Sequence, residues 1–577
     1  MRLRLLILLV SVGVVLPAGS ALADGPIMPL SQVQPGMSCT GETVVQGTTI
    51  SSFDVDVIDV VQAPGEGSRI LVSVSGPAVD STGVAEGFSG SPVYCPNAFG
   101  TMENIGAISE GVGQYGGDVV LVTPIEQMLG EPVDPPSSAP RLAMRTWPLA
   151  SPLTVGGLSP AVFGLVQRAA QRAGRIVLSA PAAGQASPTT GATNPSFPVQ
   201  QLVPGASVAA SYSSGAIPMG AVGTVTYVDG PTVYAFGHEL DGAGRRSLLL
   251  QDAYVYYVVN NPDPTTGPSF KLASPGHTVG VLSSDTPNAV IGEVGAPPPT
   301  IPVDVTADDL DTGNTLALDT QVADETDVGL PLGTSLLDTI APLEVAQAAT
   351  QIYNGPPANE SGTMCLRIYL LGSRAPLGFC NRYVGSGPAG DAGLSPPLLA
   401  ADASADVTSA FAAIERVDYA ALHVEHVVAS VRASRGLDEA TILAARAPAQ
   451  AKAGHTVRVH LLVRAYRGRL RTVTFRLHIP SRAQGPLLVT IHGPAPAAAP
   501  SPDASLVGAL AVSLGGSGGP TPTSPISSLP ALRAAIAGIG SYDGLYASIP
   551  GHGKRRVYRS PSMVIAGSTT LALSVTR

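Results

Sequence analysis

Residues 223–238 read Gly-Thr-Val-Thr-Tyr-Val-Asp-Gly-Pro-Thr-Val-Tyr-Ala-Phe-Gly-His. β-Branched and aromatic residues fill both halves, which is the composition of paired strands. Between them lies Asp229-Gly230, a dipeptide that accepts the left-handed backbone of a tight hairpin turn. The stretch therefore predicts two antiparallel strands ending at His238. Working outward, the same signature recurs in Thr43-Val44-Val45, Phe53 to Ile58, Arg69 to Val74, Ile105 to Ile108 and Val119 to Val122. It returns as clean alternation at Val457, Val459, Leu461 and Val463, then at Val473, Phe475, Leu477 and Ile479. With 65 Gly and 53 Pro in 577 residues, short strands and tight turns dominate. The expected class is mainly β and multidomain, since this length exceeds what one core supports.

Composition also limits partners. A net charge of −10 argues against nucleic acid and against anionic lipid as partners. The first residues combine a basic start (Met1-Arg2-Leu3-Arg4), an apolar run from Leu5 to Pro17 and Ala21-Leu22-Ala23 before Asp24. That is the pattern of a cleavable signal peptide over residues 1–23. Its apolar run falls short of the ~20 residues that span a bilayer, so no membrane span is expected in the mature chain, whose destination is the periplasm, the cell wall or the exterior. In such an oxidising compartment the four cysteines, in two sequence-local pairs, read as disulfides Cys39–Cys95 and Cys365–Cys380.

Along the chain, residues 28–135 form one expected β unit, closed by a short helix at Thr123–Leu129. Residues 136–200, rich in Pro, Ala, Gly and Ser, read as a linker or excursion. A second β unit is expected over 201–300 and a mixed α/β region over 301–450. Residues 451–496 read as an immunoglobulin-like β-sandwich or part of one. A low-complexity linker follows at 497–530, and 531–577 carry too weak a pattern to assign. There are no heptads and no fixed-period repeats.

The chemistry begins at residues 87–92, Gly-Phe-Ser-Gly-Ser-Pro. A serine that attacks a carbonyl needs backbone N–H groups aimed where the oxyanion forms. The glycine two positions earlier permits the turn that presents them. A turn of ordinary purpose is the competing reading until a base is found. Nine histidines are available. His238 ends a strand and is followed by Glu239 and Asp241, where a base is held firmly and its ordinary pKa near ~6.5 suits proton transfer; a histidine merely closing a hairpin is the alternative. His277 and His552 sit in Gly-containing turns, and His455, His460, His478 and His492 read as surface positions. His423 and His426 lack an evident third ligand, so no metal is expected.

At this point the sequence resembles the SpoIVB peptidase family. The resemblance rests on Pro35-Gly36-Met37, Gly47 to Ile50 with Phe53 to Val57, Gly83 to Tyr94 around the hexad, Pro124 to Leu129, Gly220 to His238, Ser269 to Leu272 and Pro275-Gly276. It covers roughly 28–135 and 201–300, and the C-terminal half carries nothing comparable. It implies two chymotrypsin-like β-barrel units and a serine endopeptidase needing no cofactor. By match, Ser89 is the nucleophile, Gly87 and Ser89 supply the oxyanion-hole amides, and His238 is the general base. The substrate would be protein or peptide, this chain included. Two departures stand out. The serine block precedes the histidine block here, which triad geometry tolerates. The family's acidic position falls on Ser75; Asp80 and Asp241 are the nearest substitutes, with Asp252 a strand later. A catalytically inactive binding or assembly protein of the cell envelope is therefore the rival reading, and a purely structural surface protein the third.

Overall fold

The computed structural model describes residues 25–577 apart from 64–66, 114–116, 134–138, 143, 145, 150–151, 181–196, 262–266, 329–335, 354, 356, 387–395, 495–523 and 540–541. The signal-peptide segment, residues 181–196 within the expected linker at 136–200, and most of the expected linker at 497–530 lie outside the described residues.

The first unit contains β1 (Ser38–Gln46), β2 (Thr49–Ala63), β3 (Gly67–Ser75), β4 (Pro92–Pro96), β5 (Met102–Val112), β6 (Val119–Pro124) and β7 (Thr146–Pro148). Their order is β4-β1-β2-β3-β6-β5-β7, and β4 also pairs with β5. The first six strands thus close into an antiparallel ring, with β7 added on β5. Alternation along β2 sends Phe53, Val55 and Val57 inward, where they meet Ile70, Val72, Val93 and Ile108 in one apolar cluster. The short helix α1 (Ile125–Met128) closes the unit.

The next thirteen strands belong to a single sheet. They are β8 (Leu153–Val155), β9 (Val177–Ser179), β10 (Ser207–Gly215), β11 (Met219–Asp229), β12 (Thr232–Ala235), β13 (Gly244–Val259), β14 (Phe270–Thr286), β15 (Ala289–Val294), β16 (Thr300–Asp309), β17 (Thr315–Ala323), β18 (Asn359–Leu370), β19 (Leu377–Ser386) and β20 (Val424–Arg435). Within it β10 to β15 close a second six-stranded ring, because β10 pairs with both β11 and β13. Each ring, followed from its first strand, runs first-second-third-sixth-fifth-fourth and back to first. Two rings of one strand order are therefore present. The predicted hairpin is β11–β12, with Asp229 opposite Thr232.

Three boundaries differ from the sequence reading. Residues 136–200 are not only linker: they hold β7, β8, β9 and α2 (Pro160–Arg172), whose Val162, Leu165, Val166 and Ala169 are buried. The mixed region is not separate, because β17 pairs with β10 and so carries the second ring's sheet onward through β16, β20, β18 and β19. The helices α3 (Leu337–Gln351) and α4 (Leu398–Glu415) share a large apolar cluster with those strands. The unassigned end contributes α5 (Leu529–Ala537) and completes the sandwich. One of its sheets holds β21 (Glu439–Arg446), β23 (Thr456–Ala465), β24 (Leu470–His478) and β28 (Val564–Ala566). The other holds β22 (Gln450–Lys452), β25 (Gly485–His492), β26 (Gly544–Ile549), β27 (Gly553–Arg559) and β29 (Ser568–Thr576).

Both expected disulfides are present, Cys39–Cys95 and Cys365–Cys380. The first ties β1 to β4 just after the Ser89 loop. It closes a 56-residue separation, so changing both cysteines to alanine is expected to cost about 4 kcal/mol by loop-closure entropy. A lower midpoint in chemical denaturation, with unchanged slope, is the result to look for. Among the described residues no helix is long and apolar enough to cross a membrane.

Candidate active site

The Ser89 loop leaves the first ring and leans on the second. Gly90 N–H donates to Ile108 O at 2.8 Å and Ile108 N–H to Ser91 O at 3.0 Å, anchoring the loop to β5. From the second ring, Thr224 N–H donates to Ser89 O at 2.9 Å, and the Thr226 hydroxyl to Gly90 O at 2.8 Å. Gly90 has φ +92°, and a Cβ there would lie 1.9 Å from Thr224 O. Only glycine allows this approach.

The His238 loop arrives from the other side. Phe236 (φ 69°) and Gly237 (φ 73°) are both left-handed, a reversal that a bulky residue resists. It is held because Gly237 O accepts from the Thr123 hydroxyl at 2.7 Å, and a Cβ on Gly237 would meet Ala107 and Ser109 of β5. Both loops therefore converge on β5 at the junction of the rings. Ser89 is fully buried and His238 is 6% exposed.

The backbone donors sort cleanly. Phe88 N–H is taken by Ala85 O, Gly90 N–H by Ile108 O and Ser91 N–H by Phe88 O. Among the described residues no acceptor pairs with the N–H of Gly87 or of Ser89. Glu86 O accepts from Lys271 N–H at 2.9 Å. In a trans peptide C=O and N–H point opposite ways, so this bond aims Gly87 N–H away from β14. The Ser89 loop therefore carries two unclaimed amides, at Gly87 and at Ser89 itself, the kind of donor an oxyanion requires.

His238 Nδ1 lies 2.6 Å from Glu239 O. A carbonyl only accepts, so Nδ1 carries the proton and Nε2 the lone pair. Burial lowers the His238 pKa below its usual range; the Glu239 carbonyl, the Glu239 carboxylate, the backbone of Leu149 and the Glu110 carboxylate oppose the shift. Ser89 Oγ and His238 Nε2 are each buried without a hydrogen-bond partner among the described residues, so neither yet holds the other.

The acid suggested by sequence is not beside the imidazole. Asp80 accepts from Gly76 N–H at 2.7 Å and caps a turn. Asp241 pairs with Arg246 at 2.5 Å and accepts from the Tyr212 hydroxyl; the arginine holds its carboxyl below the usual range although burial works the other way. Ser75 ends β3, exposed. Asp252 is buried against His277 at 3.0 Å and accepts Gln200 N–H, forming a separate clamp. The backbone carbonyl of Glu239 thus does the orienting. Glu110 of β5 is the buried carboxylate whose charge reaches the ring, with Oε1 on Arg69 at 2.7 Å and Oε2 unpartnered.

Sequence reasoning passed over Lys271. Its side chain is 3% exposed. Nζ donates to Thr43 Oγ1 at 2.8 Å and Thr224 Oγ1 at 3.3 Å, and sits 4.8 Å over the Phe88 ring. Thr224 Oγ1 in turn donates to Gly87 O at 3.2 Å. Among the described residues no carboxylate pairs with the amine, and burial lowers its pKa to about 7. Nearby Glu86 is pushed up to about 8 by burial. A lone lysine inside an apolar strand was the available signal.

Elsewhere, His423 and His426 pair with Asp324 and Asp304 respectively. Among the described residues no group of three or more His, Cys, Asp or Glu side chains could hold a metal. No family model, no curated protein and no solved structure matches this chain.

Proposed function

We propose that this chain is a serine endopeptidase of SpoIVB type. The single observation behind this reading is that the Ser89 loop, with its buried hydroxyl and two unclaimed amides, and the His238 loop, about 150 residues later in sequence, both pack on strand β5. Two rings of the same strand order, with the loops at their junction, support it further.

In this reading Ser89 Oγ attacks a peptide carbonyl and His238 Nε2 takes its proton. Gly87 and Ser89 N–H groups stabilise the oxyanion, and the imidazolium hands the proton to the leaving amine. Water then hydrolyses the ester by the same route in reverse. The Glu239 carbonyl holds the ring in the required tautomer. The two disulfides agree with an oxidising compartment, and the proposed route there is export through residues 1–23.

A fluorophosphonate probe tests the nucleophile. The folded protein should take one equivalent, on the peptide containing Ser89, and none after unfolding. Folded protein that stays unlabelled at active-site concentrations of probe would falsify the enzyme and favour the inactive envelope scaffold. The closed state of the site, with Ser89 fully buried, is what that second reading rests on.

A further inference from the structure

The ring junction holds a piece of this chain that the catalytic reading leaves unused. Strand β7 lies antiparallel on β5, with Val112 opposite Thr146, Gly111 opposite Trp147 and Glu110 opposite Pro148. The ladder continues one step, because Leu149 N–H donates to Ser109 O at 2.8 Å. At the next position of β5, Ile108, the partner is no longer this segment but Gly90 and Ser91 of the nucleophile loop. Successive positions of a strand are ~3.4 Å apart. The carboxyl end of Leu149 therefore abuts the loop that carries Ser89.

Three further observations agree. The backbone of Leu149 lies close enough to the His238 imidazole to favour its protonated form. Its side chain is 1% exposed and belongs to the apolar cluster of Phe88 and Ile108. A Cβ on Gly111 would strike the Trp147 indole, so the bare glycine makes room for the third residue before the loop. An extended chain paired by main-chain bonds to an open sheet edge, with one apolar side chain anchored, is how peptides are taken up by strand addition.

We infer that residues 146–149 occupy the substrate cleft in the register of a substrate, so that the cleft is the β5 edge from Ser109 to Val112, it takes extended peptide with a large aliphatic residue before the scissile bond, and the bond following Leu149 is the first one cut. The inference rests on the serine peptidase reading. The Ser89 oxygen would bond to the Leu149 carbonyl carbon as its proton passes to His238 Nε2. The C–N bond after Leu149 then breaks and the new amine takes that proton. Water next cleaves the ester, leaving a Leu149 carboxylate and a free Ser89. No co-reactant besides water is needed.

The test uses the full-length protein, wild type and Ser89→Ala, with intact-mass analysis and amino-terminal sequencing after refolding. Wild type should yield a new amino terminus at position 150 and the Ser89→Ala chain should stay whole. Leu149→Pro removes the N–H that Ser109 accepts and should slow the cut at least 100-fold; Leu149→Met should retain it, with circular dichroism confirming folding of both. A wild-type chain that remains intact, or is cut elsewhere, while Ser89 still takes the fluorophosphonate overturns the inference and leaves the peptidase standing. Absence of both cut and label overturns the two together.

Discussion

Changing His238 to glutamine is expected to slow acylation of Ser89 by about 10⁴-fold at pH 7, the upper range for losing a positioned general base. Glutamine keeps the volume and can still reach Glu239 O, so thermal stability at pH 7 should change little. The pH profile carries the sharper signature. Burial lowers the His238 pKa, so the wild-type protein keeps this imidazole neutral below the ordinary ~6.5, and on the proposed mechanism its acylation rate should hold to a lower pH than that of an exposed imidazole. The same shift acts on stability. Above ~6.5 both folded and unfolded chains carry neutral histidine and nothing is gained or lost. Below it the unfolded chain binds a proton that the folded chain resists, so stability falls as pH falls. His238→Gln should abolish that acid-side component. A pH profile of acylation identical in both proteins would remove the histidine from the reaction.

Lys271→Met should act in the opposite directions on stability and rate. With the amine pushed down to about 7 from an unfolded value near ~10.4, the unfolded chain binds more protons than the folded one between those limits. Wild-type stability should therefore rise with pH from about 7 to about 10. Near pH 7 the penalty on the folded state approaches about 4 kcal/mol. Methionine fills similar volume without the amine, and the Thr43 and Thr224 hydroxyls, 3.4 Å apart, can bond each other. The variant should thus be more stable at pH 7 and lose the rise toward pH 10. The cost falls on the Ser89 loop, since Lys271 fixes Thr224, which fixes Gly87 O. Probe acylation is expected to drop about 10-fold with its pH midpoint unchanged. Denaturation midpoints at pH 7 and pH 10 decide the first part: equal shifts at both would mean that the amine carries no buried penalty. Active sites commonly trade stability for placement in this way.

Local features were legible in the sequence and remote ones were not. The β11–β12 hairpin was readable because the turn dipeptide and β-branched flanks are neighbours in the chain. The turns at Ser89 and His238 were readable because each carries its own glycines, whose left-handed backbone the fold uses. The helix α2 was missed although Val162, Leu165, Val166 and Ala169 recur at helical spacing, because Pro-rich flanks suggested a linker. The joining of 201–300 to the later region depends on β10 meeting β17, and on a parallel pairing of β16 with β20 more than a hundred residues on. No local pattern encodes such a pairing. The acid was sought near the family's acidic position, which offered Asp80, and near His238, which offered Asp241; the first caps a turn at Gly76 and the second answers to Arg246 instead. A backbone carbonyl in the orienting role leaves no mark in a sequence.

The division of the strands has a consequence for how the protein would behave after maturation. Every strand of the first ring and its disulfide lie before residue 150, and every strand of the second sheet begins after it. A nick there would leave serine and histidine on separate polypeptides, joined by short bridges such as Gly47 with Val255 and Glu86 with Phe270 and by the hydrogen bonds of Thr224 and Thr226. Such a two-chain enzyme would lose specific activity on dilution, regain it by mixing independently prepared halves, and offer its own dissociation as a way to be switched off.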